Sequence, residues 1–269
     1  MDIDAYLRRI DYAGPLAPDL ATLRGLHRAH LLAVPYENLD VQLGRPLTPN
    51  PQDAFDKIVG RHRGGWCYEM NGVFGLALEA LGFRVTRLAG AVMRERFGAR
   101  TQASHLVLRV DLDEPWLADV GYGDGPIEPF RPRPGRFEQV GHGFDCTLVE
   151  DGWLRFQNPP YAPRSFDIRL DAADEAELAA KCASLQSDLA SIFQQNAIVQ
   201  RHTGGELLML RNRVLRRVGA TGETQTRLES AEAFVAALRE TFGLDLPEAA
   251  ALWPRICAQQ VAADEAAAG

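Results

Sequence analysis

Four cysteines in 269 residues, none in a CxxC pair and none spaced as a dense framework, argue against a structural zinc site and against a secretory disulfide scaffold. No apolar run approaches the roughly 20 residues that span a bilayer, and the N-terminus, Met1-Asp2-Ile3-Asp4, is acidic where a signal peptide is basic. Positive charge is also short. The formal net charge of -7 disfavours general nucleic-acid binding, although it leaves room for a local basic mouth. Internal repeats and long low-complexity linkers are missing too. These absences describe a cytoplasmic chain without metal, nucleic-acid or membrane partners, long enough to bury a sizeable core in two or three packed modules.

What is present changes character twice along the chain. Up to Gly82 the pattern is helical, with one helix beginning near Asp19 and another at Pro51, where Asn50 suits the N-cap and Pro51 the first turn. From Phe83 to about Leu170 the chain reads as strands. Val149-Glu150-Asp151-Gly152-Trp153 carries an Asp-Gly hairpin signal, and Phe166, Ile168 and Leu170 alternate. A helical stretch from Ala172 to Ser187 follows, then strands at 207–210, 214–218 and 224–228. A last clear helix runs from Ser230 to Gly243, and the alanine-rich end after Val261 is expected to fray.

Cys67 stands where a loop becomes a helix. Beyond it Met70, Val73, Phe74, Ala77, Leu78 and Leu81 recur at the spacing of a buried helical stripe, and Gly82 supplies a stop. A free cysteine is usually a small buried hydrophobe. At a helix N-terminus, however, partial positive charge and free N–H groups favour the thiolate. Cys146, Cys182 and Cys257 lack such a setting and read as structural.

A cysteine nucleophile needs a base, and the base needs a group to orient it. Of the six histidines, His105 starts a strand, His105-Leu106-Val107-Leu108-Arg109-Val110. A second strand, Pro115-Trp116-Leu117-Ala118-Asp119-Val120, follows an acidic turn. A hairpin centred near Leu112 would set His105 opposite Asp119, close enough for the carboxylate to receive the imidazole N–H. A slip of one residue would separate them to opposite faces.

With these residues in view the chain resembles the arylamine N-acetyltransferase family. The resemblance rests on Arg63-Gly64-Gly65-Trp66-Cys67-Tyr68-Glu69-Met70-Asn71, Val34-Pro35-Tyr36-Glu37-Asn38-Leu39-Asp40, His105 and Asp119-Val120-Gly121-Tyr122-Gly123. Tyr6-Leu7-Arg8-Arg9-Ile10 and Ser191-Ile192-Phe193-Gln194-Gln195-Asn196 extend it over the first three quarters of the chain. It implies a catalytic triad of Cys67, His105 and Asp119, acetyl-CoA as co-substrate, and an aromatic amine or hydrazine as acceptor in a ping-pong reaction. It also implies an α+β fold: an N-terminal helical bundle (1–82) carrying the cysteine, a central antiparallel β-barrel-like domain (83–188) carrying His105 and Asp119, and a linker with a C-terminal α/β lid (189–269). Two other readings use the same triad: an amide synthase transferring a larger acyl chain, and a cysteine hydrolase or transglutaminase-like enzyme.

Four more positions belong to the expected site. Glu37 is expected to pair with Arg63 in a bidentate contact that holds the cysteine loop, although a simple capping turn explains Glu37 as well. Tyr122 and Gly123, directly after Asp119, would border the cleft, with Tyr122 against an aromatic acceptor where the family commonly has phenylalanine. Phe193 would line the same cleft, although an isolated phenylalanine is more often core.

Overall fold

The computed structural model describes residues 1–139, 142–158, 165–220 and 222–268. The first part of the chain is helical: α1 (Ile3–Arg9), α2 (Leu20–Ala33), α3 (Leu39–Gln42), α4 (Pro51–Phe55) and α5 (Cys67–Ala80), with a short strand β1 (Tyr36–Glu37) before α3. Local chemistry sets the ends. Asp19 Oδ1 accepts the Thr22 N–H at 2.8 Å and Asn50 Oδ1 accepts the Gln52 N–H at 3.1 Å, so α2 and α4 have side-chain caps. α4 runs directly into a π-helical turn, Asp56–Gly60. Met70, Val73, Phe74, Ala77 and Leu78 of α5 are fully buried, and Gly82 ends the segment at φ +88°.

The strands β2 (Arg84–Val92), β3 (His105–Asp111), β4 (Pro115–Ala118), β5 (Gly135–Gln139), β6 (His142–Leu148), β7 (Leu154–Gln157) and β8 (Ser165–Ile168) form one antiparallel sheet in the order β4-β3-β2-β8-β7-β6-β5. A one-turn helix, α6 (Arg94–Phe97), interrupts the β2–β3 connection. The sheet curls into a half-barrel around Leu88, Phe144, Phe156 and Phe166. Between β6 and β7 both Asp151 and Gly152 take positive φ, at 59° and 75°, as the Asp-Gly turn requires. β8 departs from simple alternation. Asp167, between Phe166 and Ile168, is also buried because Arg155 and Arg94 neutralise it at 2.7 Å and 3.2 Å.

Beyond it lie α7 (Glu175–Ser187), α8 (Ile192–Gln195), the strands β9 (Ile198–His202), β10 (Glu206–Arg211), β11 (Val214–Gly219) and β12 (Gly222–Arg227), then α9 (Ala231–Phe242) and α10 (Trp253–Ala268). β9 to β12 form a second antiparallel sheet whose outer strand is β1, so a piece of the N-terminal segment is paired with the C-terminal one. α7 begins at Glu175 and not Ala172, because Asp174 is its N-cap. The alanine-rich end is helical and not frayed: α10 continues through it, in keeping with alanine's helix propensity.

Candidate active site

Cys67 is the first residue of α5, 2% exposed. The cap at this end is unusual. Glu69 Oε2 accepts the Trp66 N–H at 3.2 Å, but the indole at Trp66 offers no acceptor in return. His105 opens β3, and its Nε2 lies 2.7 Å from Asp119 Oδ2. Together with Asp119, Cys67 is among the groups that act on the His105 imidazole and raise its pKa. Thiol, imidazole and carboxylate are therefore brought into one neighbourhood.

The register that achieves this differs from the one expected. Leu108 pairs with Ala118 and Val110 with Trp116, so the hairpin is centred on Asp113 and not on Leu112. Asp119 sits past the end of β4, diagonal to His105 and not directly opposite. A two-residue offset keeps both side chains on one face, which a one-residue slip would not.

Electrostatics follow from the enclosure. Burial alone would lower the His105 pKa, but the Asp119 charge and hydrogen bond override it, and with Cys67 they raise it to about 10. Burial pushes Asp119 upward, and the charge and hydrogen bond of His105 more than reverse that, so the carboxylate stays ionised. Burial raises Cys146 and Cys182 to about 12, which leaves both as inert thiols near neutrality.

Asp119 is held by groups that the sequence reasoning did not single out. Asn71 Nδ2 donates to Asp119 Oδ1 at 2.8 Å and to the Leu106 carbonyl at 2.6 Å, while its Oδ1 accepts the Val120 N–H at 2.9 Å. His27 Nδ1 meets the Ile127 carbonyl at 2.9 Å, so Nε2 is free to accept the Asp119 N–H at 3.1 Å. Burial lowers His27 to about 4 and keeps it neutral in that role. Asn71 was discoverable: it is four residues after Cys67, on the same helix face. His27 had no local signal, since its partners lie about a hundred residues away.

The other expected positions are placed as follows. Tyr122 is buried, its ring 5.2 Å from that of His105 and 5.0 Å from that of Phe166. Gly123 has φ +82°, a backbone conformation that other residues rarely adopt, and a Cβ there would also push the Gln200 side chain aside. Gly121, which the sequence did not flag individually, is as constrained: a Cβ would lie 2.7 Å from Cys67 Cα. Phe193 is half-buried and sets its ring edge-on to Trp66 at 5.1 Å. Its carbonyl is gripped by Asn38 Nδ2 at 3.0 Å and Gln42 Nε2 at 2.6 Å.

Glu37 does pair with Arg63, but not fork to fork. Arg63 Nη2 and Nε both donate to Glu37 Oε1, at 2.7 Å and 3.1 Å, while Oε2 accepts the Leu39 N–H at 2.7 Å. The pair belongs to a larger buried cluster with Asp40, Lys57 and Glu69. Among the described residues no group of three or more His, Cys, Asp or Glu side chains is disposed to hold a metal, and no helix is long and apolar enough to cross a membrane.

A thiol at a helix start, an imidazole near it and a buried carboxylate on that imidazole are the groups that cysteine acyl chemistry uses, with hydrolysis or group transfer as outcomes. A family model described as N-acetyltransferase matches residues 19–251. The chain is 34% identical over 270 residues to the arylamine N-acetyltransferase of Mycolicibacterium smegmatis, covering 93% of this chain and 94% of that protein. It superimposes on the arylamine N-acetyltransferase from M. tuberculosis with a TM-score of 0.86 at 30% identity, over 95% of this chain and 99% of that one. Mycobacterium marinum arylamine N-acetyltransferase in complex with CoA matches with a TM-score of 0.85 at 29% identity, over 96% and 98% of the two chains. The chain belongs to the arylamine N-acetyltransferase family.

Proposed function

We propose that this protein transfers the acetyl group of acetyl-CoA to the nitrogen of an arylamine or arylhydrazine, storing it on Cys67 between the two substrates. The observation that carries the residue assignment is the 2.7 Å contact of His105 Nε2 with Asp119 Oδ2, in a pair whose imidazole also feels Cys67. The His105 imidazole, whose pKa of about 10 keeps it charged at neutral pH, is the counter-ion this reading gives to the attacking sulfur. The thiolate attacks the thioester carbon. N–H groups of the first turn of α5 stabilise the oxyanion, CoA leaves as it takes the His105 proton, and acetyl-Cys67 remains.

Acetylation removes one of the groups that held the proton on His105 and so leaves more of the imidazole in the neutral form that can accept a proton in the second step. The amine attacks the acetyl-cysteine, His105 accepts its proton, and the Cys67 thiolate is released. Aromatic amines fit because their weak basicity leaves the attacking nitrogen unprotonated near neutrality. Tyr122, Gly123 and Phe193 are assigned to the acceptor side of the cleft, and Glu37 with Arg63 to the support of the cysteine loop. In this reading residues 1–82 carry the nucleophile, 83–188 carry its base, and 189–269 cover the cleft, in a cytoplasmic enzyme.

Intact mass spectrometry after mixing with acetyl-CoA alone tests the central claim. A single acetyl adduct on Cys67, discharged by an added arylamine, is the expected result, with parallel reciprocal plots in steady state. Equal CoA release with and without amine would favour a hydrolase. Acylation only by larger thioesters would favour an amide synthase.

A further inference from the structure

Lys57 is one of only two lysines in a chain with 29 basic side chains, and it is 1% exposed. A chain that otherwise relies on arginine has kept a compact ammonium in its interior. The geometry gives the reason. Lys57 Nζ reaches Glu69 Oε2 at 2.9 Å, Asp40 Oδ2 at 3.0 Å and Glu37 Oε1 at 3.6 Å, three carboxylates in three directions. A planar guanidinium cannot fan its donors in that way. Lys57 sits in the π-helical turn Asp56–Gly60, and its carbonyl accepts the Arg63 N–H at 3.1 Å. One residue thus holds both ends of the loop that delivers Cys67: Arg63 by the backbone, Glu69 by the side chain.

Glu69 transmits this hold to the sulfur. Its Oε2 accepts the N–H of Trp66, the residue before Cys67, at 3.2 Å. The turn rests tightly on that carboxylate: a Cβ at Gly65 would lie 2.8 Å from Glu69 Cβ and 3.0 Å from Oε2. Resting on the reading of Cys67 as the acetyl carrier, we propose that Lys57 is a positioning residue for the transfer reaction. By holding Glu69 it seats the Gly65–Trp66 turn, fixes where the Cys67 sulfur sits, and limits the negative charge behind it.

The charge balance makes the idea testable. Three carboxylates, Glu37, Asp40 and Glu69, face two cations, Lys57 and Arg63, a surplus of one negative charge that the half-exposed Arg45 approaches from outside at 3.4 Å. The titratable groups with electrostatic reach to Cys67 from other elements are His105, Tyr36 and Cys182, with Tyr68 on α5 itself. Burial keeps both tyrosines and Cys182 neutral at pH 7, so the charged groups in play are His105 with Asp119 on one side and, on this proposal, the cluster that Glu69 ties to the Trp66 turn on the other.

Lys57→Met, Glu69→Gln and the double variant separate position from bulk stability. The readouts are the pH profile of Cys67 alkylation by iodoacetamide, followed by peptide mapping, and the acylation rate with acetyl-CoA. Lys57→Met adds one net negative charge, so its alkylation profile moves alkaline by about one pH unit. Its acylation slows about tenfold or more through the displaced sulfur. The double variant restores the wild-type surplus and keeps an amide oxygen for the Trp66 N–H, so the profile returns. Glu69→Gln alone moves the profile to the acid side, which decides the matter if Lys57→Met does not fold. Wild-type profiles in the single variants, whatever their melting temperatures, overturn the proposal, as does a double variant no better than Lys57→Met. Absence of an acetyl adduct in the wild type would sink the transferase reading alone, because the alkylation profile still reports on Lys57.

Discussion

On its two sides the helix α5 meets buried ionic groups that are managed in opposite ways. In front of Cys67 stand one imidazole and one carboxylate, steadied by neutral partners: the Asn71 amide, the uncharged His27 and the Gly121 N–H, which Asp119 Oδ1 accepts at 3.0 Å. Behind it, Glu37, Asp40, Lys57, Arg63 and Glu69 are steadied by one another's charges. On the proposed mechanism the difference follows from what each side does. A group that trades a proton in every cycle needs supports that hold through both charge states, and neutral hydrogen-bonding groups provide that. A cluster that never changes charge can rely on opposite charges, provided none is left alone.

Removing the shared centre has the largest effect. Cys67→Ala is expected to abolish the acetyl adduct in intact mass spectrometry while leaving the circular dichroism spectrum and melting curve close to wild type. In the unaltered enzyme iodoacetamide should label Cys67 ahead of Cys146 and Cys182, whose buried thiols remain protonated. Labelling of either one first, with transfer intact, would remove Cys67 from the mechanism.

Asp119→Asn comes next and attacks the front alone. The amide permits the wrong tautomer and removes the charge that holds His105 up, so acylation should fall by at least about a hundredfold. Stability carries a second signature. The folded His105 pKa is raised, so its pairing contributes fully below the unfolded value of about 6.5 and is lost as pH rises toward about 10. The Asp119 pKa is lowered, so its share is present above about 3.9 and is lost as the pH drops below that value. The melting temperature of wild type relative to Asp119→Asn should therefore be highest between these limits and converge in alkaline buffer. A gap that grows with pH would contradict the pairing.

Arg63→Met probes the back. It takes from Glu37 its 2.7 Å partner and leaves only Lys57 at 3.6 Å and the Leu39 N–H, and breaking a buried pair from one side costs about 3–5 kcal/mol, readable in urea denaturation. If Arg63→Met loses no stability, the contrast between the two sides is wrong. Gly121→Ala is milder: its methyl must displace Cys67 or the loop, and about a tenfold slower acylation with a modest change in melting temperature is expected. The smallest effect is at the surface. Glu175→Ala breaks a 2.8 Å pair with Arg87 whose carboxylate is 59% exposed, and should leave both acylation and stability within about 1 kcal/mol of wild type.

Much of this was legible in the chain because the signals are local. Caps at Asp19, Asn50 and Ser230, the stripe on α5, and the Asp-Gly turn each depend on residues a few positions apart, and the structure places the corresponding elements there. The thiol, the imidazole and the carboxylate were reached by the chemistry that each needs from the others. The misses are of two kinds. A hairpin centre is set by the turn, and an acidic turn without glycine or asparagine leaves it open by a residue, hence Asp113 where Leu112 was expected. Supports such as His27 and Lys57 depend on partners distant in the chain. His27 on α2 reads as one more helix residue until β4 ends above it.

By itself, the sequence determined which residue types are available for acyl chemistry, that the cysteine opens a helix, that His105 starts a strand, and that a glycine-rich turn follows Asp119. Those are properties of short segments, and the 3.6- and two-residue periodicities encode them directly. Only the tertiary structure decided that His105 and Asp119 meet diagonally, that Asn71 holds the Asp119 carboxylate and a neutral His27 its backbone N–H, and that five charges pack near Cys67. Interactions between buried ionic groups depend on distance and desolvation, which are fixed by how α4, α5, β1 and β3 pack together, and neither quantity is written in the spacing of residues along a chain.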